Sequence, residues 1–269
     1  MNKTAIDWAE MTFNPVTGCL GPDGKPCIYC YARKIARRFS GAGYPLCGDD
    51  FLGHELVELD EPYIWSDEYG EKHRIAYPAD FTPTLHKYRL DEPAKLKKPS
   101  TIFVCSMADL FGDWVPDSWI HQVFDACVAA PQHRYLFLTK NPKRYISLKD
   151  MIPKTKNIWL GTTATDWEAD IFYDNGCTGI GGAFISAEPL MGGIYKRIDD
   201  GLYSGIDWVI VGAETGNRKG KVIPDREWLV DIARACWAAC IPLYMKNSLR
   251  DIWGKPLIQE FPWKVANSG

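Results

Sequence analysis

The stretch Thr17–Ala36, TGCLGPDGKPCIYCYARKIA, decides how the rest of the chain is read. It holds Cys19, Cys27 and Cys30 in the pattern C-x7-C-x2-C, with Tyr29 inside the last pair and a basic, helix-like run after it. Three thiols within twelve residues, set among Gly, Pro and Asp, do not look like core packing. Three thiolates without an obvious fourth partner suit an iron–sulfur cluster with one iron left open. Structural zinc competes with that reading, because zinc takes four ligands in structural sites and Cys47 or His54 would supply the fourth. Unliganded thiols are the third alternative.

Composition bounds the class. At 269 residues, with 46% hydrophobic and 24% charged side chains, the chain matches a globular protein with a large core. Barrels of about 250 residues are ordinary single domains, so one domain over residues 1–269 is the expectation. No run of about 18 apolar residues suggests a membrane span. The opening MNKTAIDWAEMTFNP carries charge where a signal peptide needs an apolar core, so a cytoplasmic setting is expected. Nine cysteines in a reducing compartment point to metal, redox chemistry or burial rather than disulfides. A net charge of −3 gives no global attraction to nucleic acid, so such contact needs a local patch. Eleven Trp and thirteen Tyr serve first as core and rim, with base or adenine stacking left to a few.

Around the cysteines, Met11–Val16 holds a short strand that delivers Cys19, broken at Asn14-Pro15. Tyr31–Gly41 has helical spacing of Ala32, Ile35, Ala36 and Phe39, and a polar face of Arg33, Lys34, Arg37 and Arg38. That face is either solvated or a patch for a phosphate-bearing substrate. Residues 42–80 are irregular and read as an insertion or lid, with a hairpin across Tyr63–Tyr77 turning near Glu68–Glu71.

From Phe81 onward short apolar runs recur: Phe81–His86, Thr101–Met107, Tyr135–Thr139, Asn157–Gly161, Ala183–Ala187, Trp208–Gly212 and Ile241–Met245. Helices over Asp117–Ala130 and Asp225–Cys240 start at Pro-Asp pairs. Continuous apolar strands alternating with helices predict a parallel sheet covered on both faces. The expected fold is α/β, a (β/α) barrel, full or partly open.

In such barrels chemistry sits at the carboxyl ends of the strands. The residues found there are His86, Cys105, Ser106, Asp109, Thr139, Lys140, Thr162, Thr163, Asp166, Ser186, Glu188, Glu214, Thr215, Lys246 and Asn247. Glu188 and Glu214 suit a ligand's ammonium or hydroxyls. Lys140 and Lys246 either pair with them or clamp a carboxylate.

These residues also carry a resemblance. A C-x-aromatic-C after a first strand is similar to the radical S-adenosylmethionine (SAM) superfamily, whose usual first spacing is C-x3-C. The phrases TFNPVTGC, CIYCYA, IFVCSMADLFGDWVP, FLTKNPKR, LGTTATD, ISAEPLMG, WVIVGAETG and PLYMKN resemble a phage and prophage family of three-cysteine-motif proteins treated as radical-SAM-like. Members read W-N-P-x-T-G-C, S-M-x-D-L-F, L-T-K, E-P-L, G-x-E and F-x-K at these places. Phe13 stands where the family has Trp, the 42–80 region is longer, and no Gly-Gly-Glu follows the second strand.

The resemblance implies a radical-SAM/TIM-like barrel, a [4Fe–4S] cluster on Cys19, Cys27 and Cys30, and S-adenosyl-L-methionine on the open iron. An external electron donor of flavodoxin or ferredoxin type would reduce the cluster. A 5′-deoxyadenosyl radical would then take a hydrogen from the substrate. Tyr29 would flank adenine, with Ser106, Asp109, Thr139, Lys140, Thr163 and Glu188 around SAM. Glu214, Lys246 and Asn247 would face substrate, with Arg33 and Arg37 on its phosphate. Cys105 would return a hydrogen atom to a product radical, or would simply be a small buried residue. A nucleobase or nucleotide in phage DNA is the expected substrate, through hypermodification, rearrangement or repair. Peptide or metabolite modification, and a zinc-stabilised regulatory barrel without chemistry, are the other classes.

Overall fold

The computed structural model describes residues 1–25, 27–40, 55–166, 179–194 and 205–265. The chain packs into two compact units, one of Met1–Thr4 and Met11–Tyr135, the other of Ala5–Glu10 and Leu136–Gly269. The fold is mixed α/β with largely parallel sheet strands.

In the first unit β1 (Asn2–Lys3) pairs antiparallel with β2 (Met11–Phe13). Asn14-Pro15 breaks the chain, and β3 (Val16–Thr17) then joins a different, three-stranded sheet with β4 (Val57–Leu59) and β7 (Thr84–His86). β5 (Ile64–Ser66) and β6 (Lys72–Arg74) form the expected hairpin. Its turn is held by Asp67, whose carboxylate accepts the N–H groups of Tyr69 (3.0 Å) and Glu71 (2.8 Å). β8 (Thr101–Val104), buried at every residue, runs parallel to β2. Only Thr84–His86 of the Phe81–His86 run is strand, and it is not one of the β/α series. It pairs antiparallel with β3 and parallel with β4.

Helix α1 (Tyr31–Arg38) ends short of the expected Gly41, and residues 41–54, with Cys47 and His54, lie outside the described residues. α2 is Glu92–Lys95. α3 (Asp117–Val128) buries Trp119, Ile120, Val123, Phe124 and Cys127, the i, i+3, i+4 stripe of a helix lying on a sheet.

β9 (Arg134–Thr139) passes into the second unit at Leu136. There the strand order is β9, β10 (Ile158–Thr163), β11 (Gly182–Ala187), β12 (Trp208–Val211) and β13 (Leu243–Met245), with the last four mutually parallel. β10 to β13 are buried at every position, as strands covered on both faces must be. α4 (Lys143–Ser147) and α5 (Arg226–Ala238) are its longer helices among the described residues. Asp225 caps α5 by accepting the N–H of Glu227 at 2.9 Å. Short turns α6 (Arg250–Trp253) and α7 (Pro262–Val265) follow. Trp8, Phe184, Trp208, Tyr244, Phe261 and Trp263 form one aromatic cluster with centroid spacings of 5.0–6.4 Å. Among the described residues no helix is long and apolar enough to cross a membrane.

Candidate functional site

The cysteine loop is built on backbone contacts that the sequence dictates locally. Gly18 adopts φ +83°, and a Cβ there would lie 2.2 Å from the carbonyl oxygen of Thr82. Only glycine permits both the left-handed backbone and that approach. The Gly18 N–H donates to the Met107 carbonyl at 2.9 Å, and the Cys19 N–H donates to Phe81 at 3.1 Å. Cys19 is thus fixed against the turn that follows β8 and the segment that precedes β7.

Asn14 joins the turn after β8 to the residues that follow β7. Its Oδ1 accepts Ser106 Oγ at 3.1 Å and the Met107 N–H at 3.3 Å, while its carbonyl accepts Arg89 Nη1 at 3.0 Å. Tyr31 adds a bond from its hydroxyl to the Ser106 carbonyl at 2.7 Å.

A partly buried chain of polar groups braces the strand before Cys19. Arg89 Nη2 lies 3.1 Å from the Tyr88 hydroxyl, which lies 3.2 Å from His86 Nδ1, and His86 Nε2 lies 2.8 Å from Thr17 Oγ1. A guanidinium only donates, so the Tyr88 oxygen accepts it and the phenol proton points to His86 Nδ1. His86 therefore carries its proton on Nε2 and donates to Thr17. Burial, then the charges of Arg89 and Arg74, push His86 down to about 2, which keeps the ring neutral in this role.

The three cysteines are free thiols at intermediate burial. Cys19 Sγ accepts the Gly21 N–H and Cys30 Sγ accepts the Arg33 N–H, each at 3.3 Å. Cys30 is the N-cap of α1, its sulfur taking up an N–H of the first helical turn. Ala32 and Ala36 of α1 form one apolar cluster with Phe81 and Met107, and Cys19, Cys30 and Tyr77 pack against it. Cys27 is tied in by its carbonyl, which accepts the Cys30 N–H at 3.1 Å. The Nε of Arg33, one turn past Cys30, is buried with no hydrogen-bond partner.

This donor set fits a multi-iron cluster. Among the described residues, Asp67, Glu71 and His73 are the one group of three or more metal-type ligands whose atoms all lie within 4.8 Å of one another. The three cysteine sulfurs do not all lie within 4.8 Å of one another, whereas a single tetrahedral zinc with ~2.3 Å bonds holds its sulfurs roughly 3.8 Å apart. A cluster that gives each cysteine its own iron accepts wider spacing.

The other expected residues divide by unit. In the first unit Cys105, just past β8, is 3% exposed at φ +56°, and its N–H donates to the Phe13 carbonyl at 2.8 Å. Burial pushes its thiol up to about 12, so sulfur stays protonated. Asp109 is half-buried and accepts the Phe111 N–H at 3.2 Å. Tyr29 is half-buried, and Arg37 is exposed beside Asp80 at 3.8 Å.

In the second unit Thr139 ends β9, buried, and accepts the Asn141 N–H at 2.9 Å, while Lys140 is exposed. Thr163 at the end of β10 stands in register with Ser186 on β11, whose buried hydroxyl has no hydrogen-bond partner. Glu188 and Lys246 form an ion pair beside Gly212, where a Cβ would come within 2.9 Å of the Lys246 chain. Glu214 is 8% exposed and held by a two-pronged contact from Arg218 at 2.6 and 2.7 Å. Each carboxylate thus has its own cation. Asn247 is exposed, its N–H donating to Asp7 at 2.8 Å.

Sequence reasoning missed Asn14, Tyr88, Arg89 and Arg218. The Glu214–Arg218 spacing of i, i+4 was a usable signal, whereas the bonds from Asn14 to Ser106 and from Arg89 to Asn14 span 75–92 residues and leave no local trace.

The described residues thus make a mixed α/β protein with a three-cysteine loop between β3 and α1. Solved structures of spore photoproduct lyase share the fold. One, complexed with dinucleoside spore photoproduct, has 10% identity and a TM-score of 0.54, covering 91% of this chain and 78% of that one. Another, a double mutant with bound AdoMet and dinucleoside spore photoproduct, has 11% identity and a TM-score of 0.53 over the same shares. No curated protein matches the sequence. Residues 3–256 match the family described as protein of unknown function (DUF5131), and the chain belongs to that family.

Proposed function

We propose that this chain is a radical SAM enzyme that takes a hydrogen atom from a nucleobase or nucleotide, with DNA as the substrate class. One observation carries the reading. Three half-buried free thiols lie on the loop between β3 and α1, two of them already accept backbone N–H bonds, and the fold around them is like that of an AdoMet-binding lyase.

Cys19, Cys27 and Cys30 would hold the [4Fe–4S] cluster. When bound, cluster and SAM supply the carbon radical that abstracts hydrogen. The chain's own residues do the rest. Gly18, Asn14 and the Thr17–His86 bond fix the loop. The Ala32, Ala36, Phe81 and Met107 cluster keeps water from the Cys19 and Cys30 side. Cys105, kept as a neutral thiol by burial, is suited to give a hydrogen atom rather than a proton. The orphaned hydroxyl of Ser186 beside Thr163 supplies an unused polar atom at a strand end. The dinucleoside photoproduct bound by the structural neighbours supports a nucleobase as the substrate class, with hypermodification or rearrangement proposed beside repair.

The test is anaerobic purification with iron and sulfide analysis, then dithionite and SAM with detection of 5′-deoxyadenosine. About four irons per chain, and their loss in Cys19→Ala, are expected. Stoichiometric zinc without SAM cleavage would overturn the reading in favour of a zinc-stabilised regulatory protein.

A further inference from the structure

We propose that the exposed face of α1 and the loop before it form the docking site for an acidic one-electron donor protein. The inference rests on the cluster reading above. Five of the eleven exposed large hydrophobic residues among those described fall within twenty positions: Leu20 (42%), Ile28 (66%), Tyr31 (48%), Ile35 (38%) and Phe39 (54%). Ile28 lies between two of the proposed ligands, and Tyr31 and Ile35 repeat at i, i+4 along α1. Single exposed apolar residues need no explanation, but a group of this kind does.

The same helix is strongly basic. Its eight residues, YARKIARR, hold four cations and no acid. Arg37 and Arg38 in the last turn complement the helix dipole and are explained by helix stability. Arg33 and Lys34 are not. They occupy the third and fourth helical positions, near the end where the dipole disfavours positive charge, and no acidic residue offsets them there. Lys34, Arg37 and Arg38 are exposed, and the Arg37–Asp80 contact at 3.8 Å between half-exposed groups holds little charge in place. In a chain of net charge −3 this is a local positive field on the helix whose N-cap is Cys30.

Apolar side chains at the cysteines with cations around them match a small, transient, electrostatically steered interface. A cluster held by this loop is reduced from outside. The donor loses one electron, the cluster gains it, and no bond is made. A donor seated on α1 would stand over the helix whose N-cap is Cys30 and beside the exposed Ile28. A nucleic-acid interface is the rival. Of the five apolar residues only Tyr31, whose hydroxyl is held by the Ser106 carbonyl, and Phe39 carry a ring; Leu20, Ile28 and Ile35 give a base nothing to stack on, and nucleic-acid interfaces are the more polar kind.

The test uses Lys34→Glu combined with Arg38→Gln, leaving Arg33 and Arg37 in place. Lys34→Glu favours the helix dipole, so α1 survives, which circular dichroism checks. Binding of a purified flavodoxin is measured first by calorimetry at low salt, with or without cluster. Bleaching of the absorbance near ~400 nm is then followed with reduced flavodoxin and with dithionite. Expected are at least about tenfold weaker flavodoxin binding, flavodoxin-driven bleaching slowed to match, and a dithionite rate within about twofold of the unsubstituted protein. Equal flavodoxin binding by both proteins would overturn the proposal. So would unchanged flavodoxin binding with lost affinity for a DNA duplex, which would assign the face to nucleic acid. Failure of the cluster reading would show separately, as absence of iron from the unsubstituted protein.

Discussion

The hydroxyl of Thr17 and Nε2 of His86 stand 2.8 Å apart in a fully buried contact that ties β3, the strand leading to Cys19, to β7. His86 works here as a neutral donor, and protonation would put a cation beside Arg89 and Arg74 in a buried site. Its folded pKa of about 2 lies below the ordinary 6.5, so the unfolded chain binds a proton that the folded chain refuses. The stabilisation is full above about pH 6.5 and is lost progressively as pH falls towards the folded value. Each pH unit below 6.5 should shift the unfolding equilibrium by up to about tenfold. Urea unfolding between pH 7.5 and 4.5 should show this slope in the native chain, and His86→Gln should lack one proton's worth of it. Equal slopes would show that His86 titrates normally when folded.

Gly18→Ala should damage the cysteine loop more than a single methyl suggests. The left-handed backbone alone costs a non-glycine residue about 1–2 kcal/mol, and the new Cβ would overlap the Thr82 carbonyl. Relief requires moving the backbone that seats Cys19 on Phe81. The variant should lose most of its iron while keeping the helix and sheet signals of circular dichroism. Full iron content would mean that the loop tolerates a shift of about an ångström.

Legibility followed range. The apolar runs that became β8 to β13 were readable because strands buried on both faces need no partner to reveal themselves. Phe81–His86 was read as one of them because its membership of the β3–β7–β4 sheet depends on Val16 and Val57, far away in sequence. The three cysteines stood out by spacing alone. The roles of Asn14 and Arg89 did not, because a lone Asn before Pro reads as a turn until Ser106 is brought to it. Glu188 and Glu214 follow β11 and β12, and their cations, Lys246 and Arg218, come from different ranges, only the second being four residues away.

Thiol reactivity should separate the cysteines into two groups. Burial pushes Cys105 and Cys236 up to about 12 and raises Cys127 as well, so these remain protonated and shielded at pH 8. Cys240 is exposed, and Cys19, Cys27 and Cys30 are half-buried. Brief alkylation of metal-free native protein, mapped by mass spectrometry, should label the second group and spare the first by roughly tenfold or more, because the first are shielded and held protonated by burial. Rapid labelling of Cys105 would argue that it is open to solvent and poorly suited to hold a hydrogen atom for a radical.

The Glu188–Lys246 pair sits at the ends of β11 and β13, with side chains 26% and 13% exposed. Removing one partner leaves the other partly desolvated without its counter-charge, which costs about 1–3 kcal/mol, whereas removing both leaves nothing unpaired. Lys246→Met should therefore destabilise the protein more than Glu188→Gln/Lys246→Met, and a double-mutant cycle should give a coupling above about 1 kcal/mol. The same variants test the ligand role expected for Glu188. If Lys246 only holds this carboxylate ready for the SAM ammonium, Glu188→Gln should weaken SAM binding about tenfold or more without lowering iron content, and Lys246→Met should weaken it less. Unchanged SAM affinity in both variants would make the pair a purely structural clasp between two strand ends.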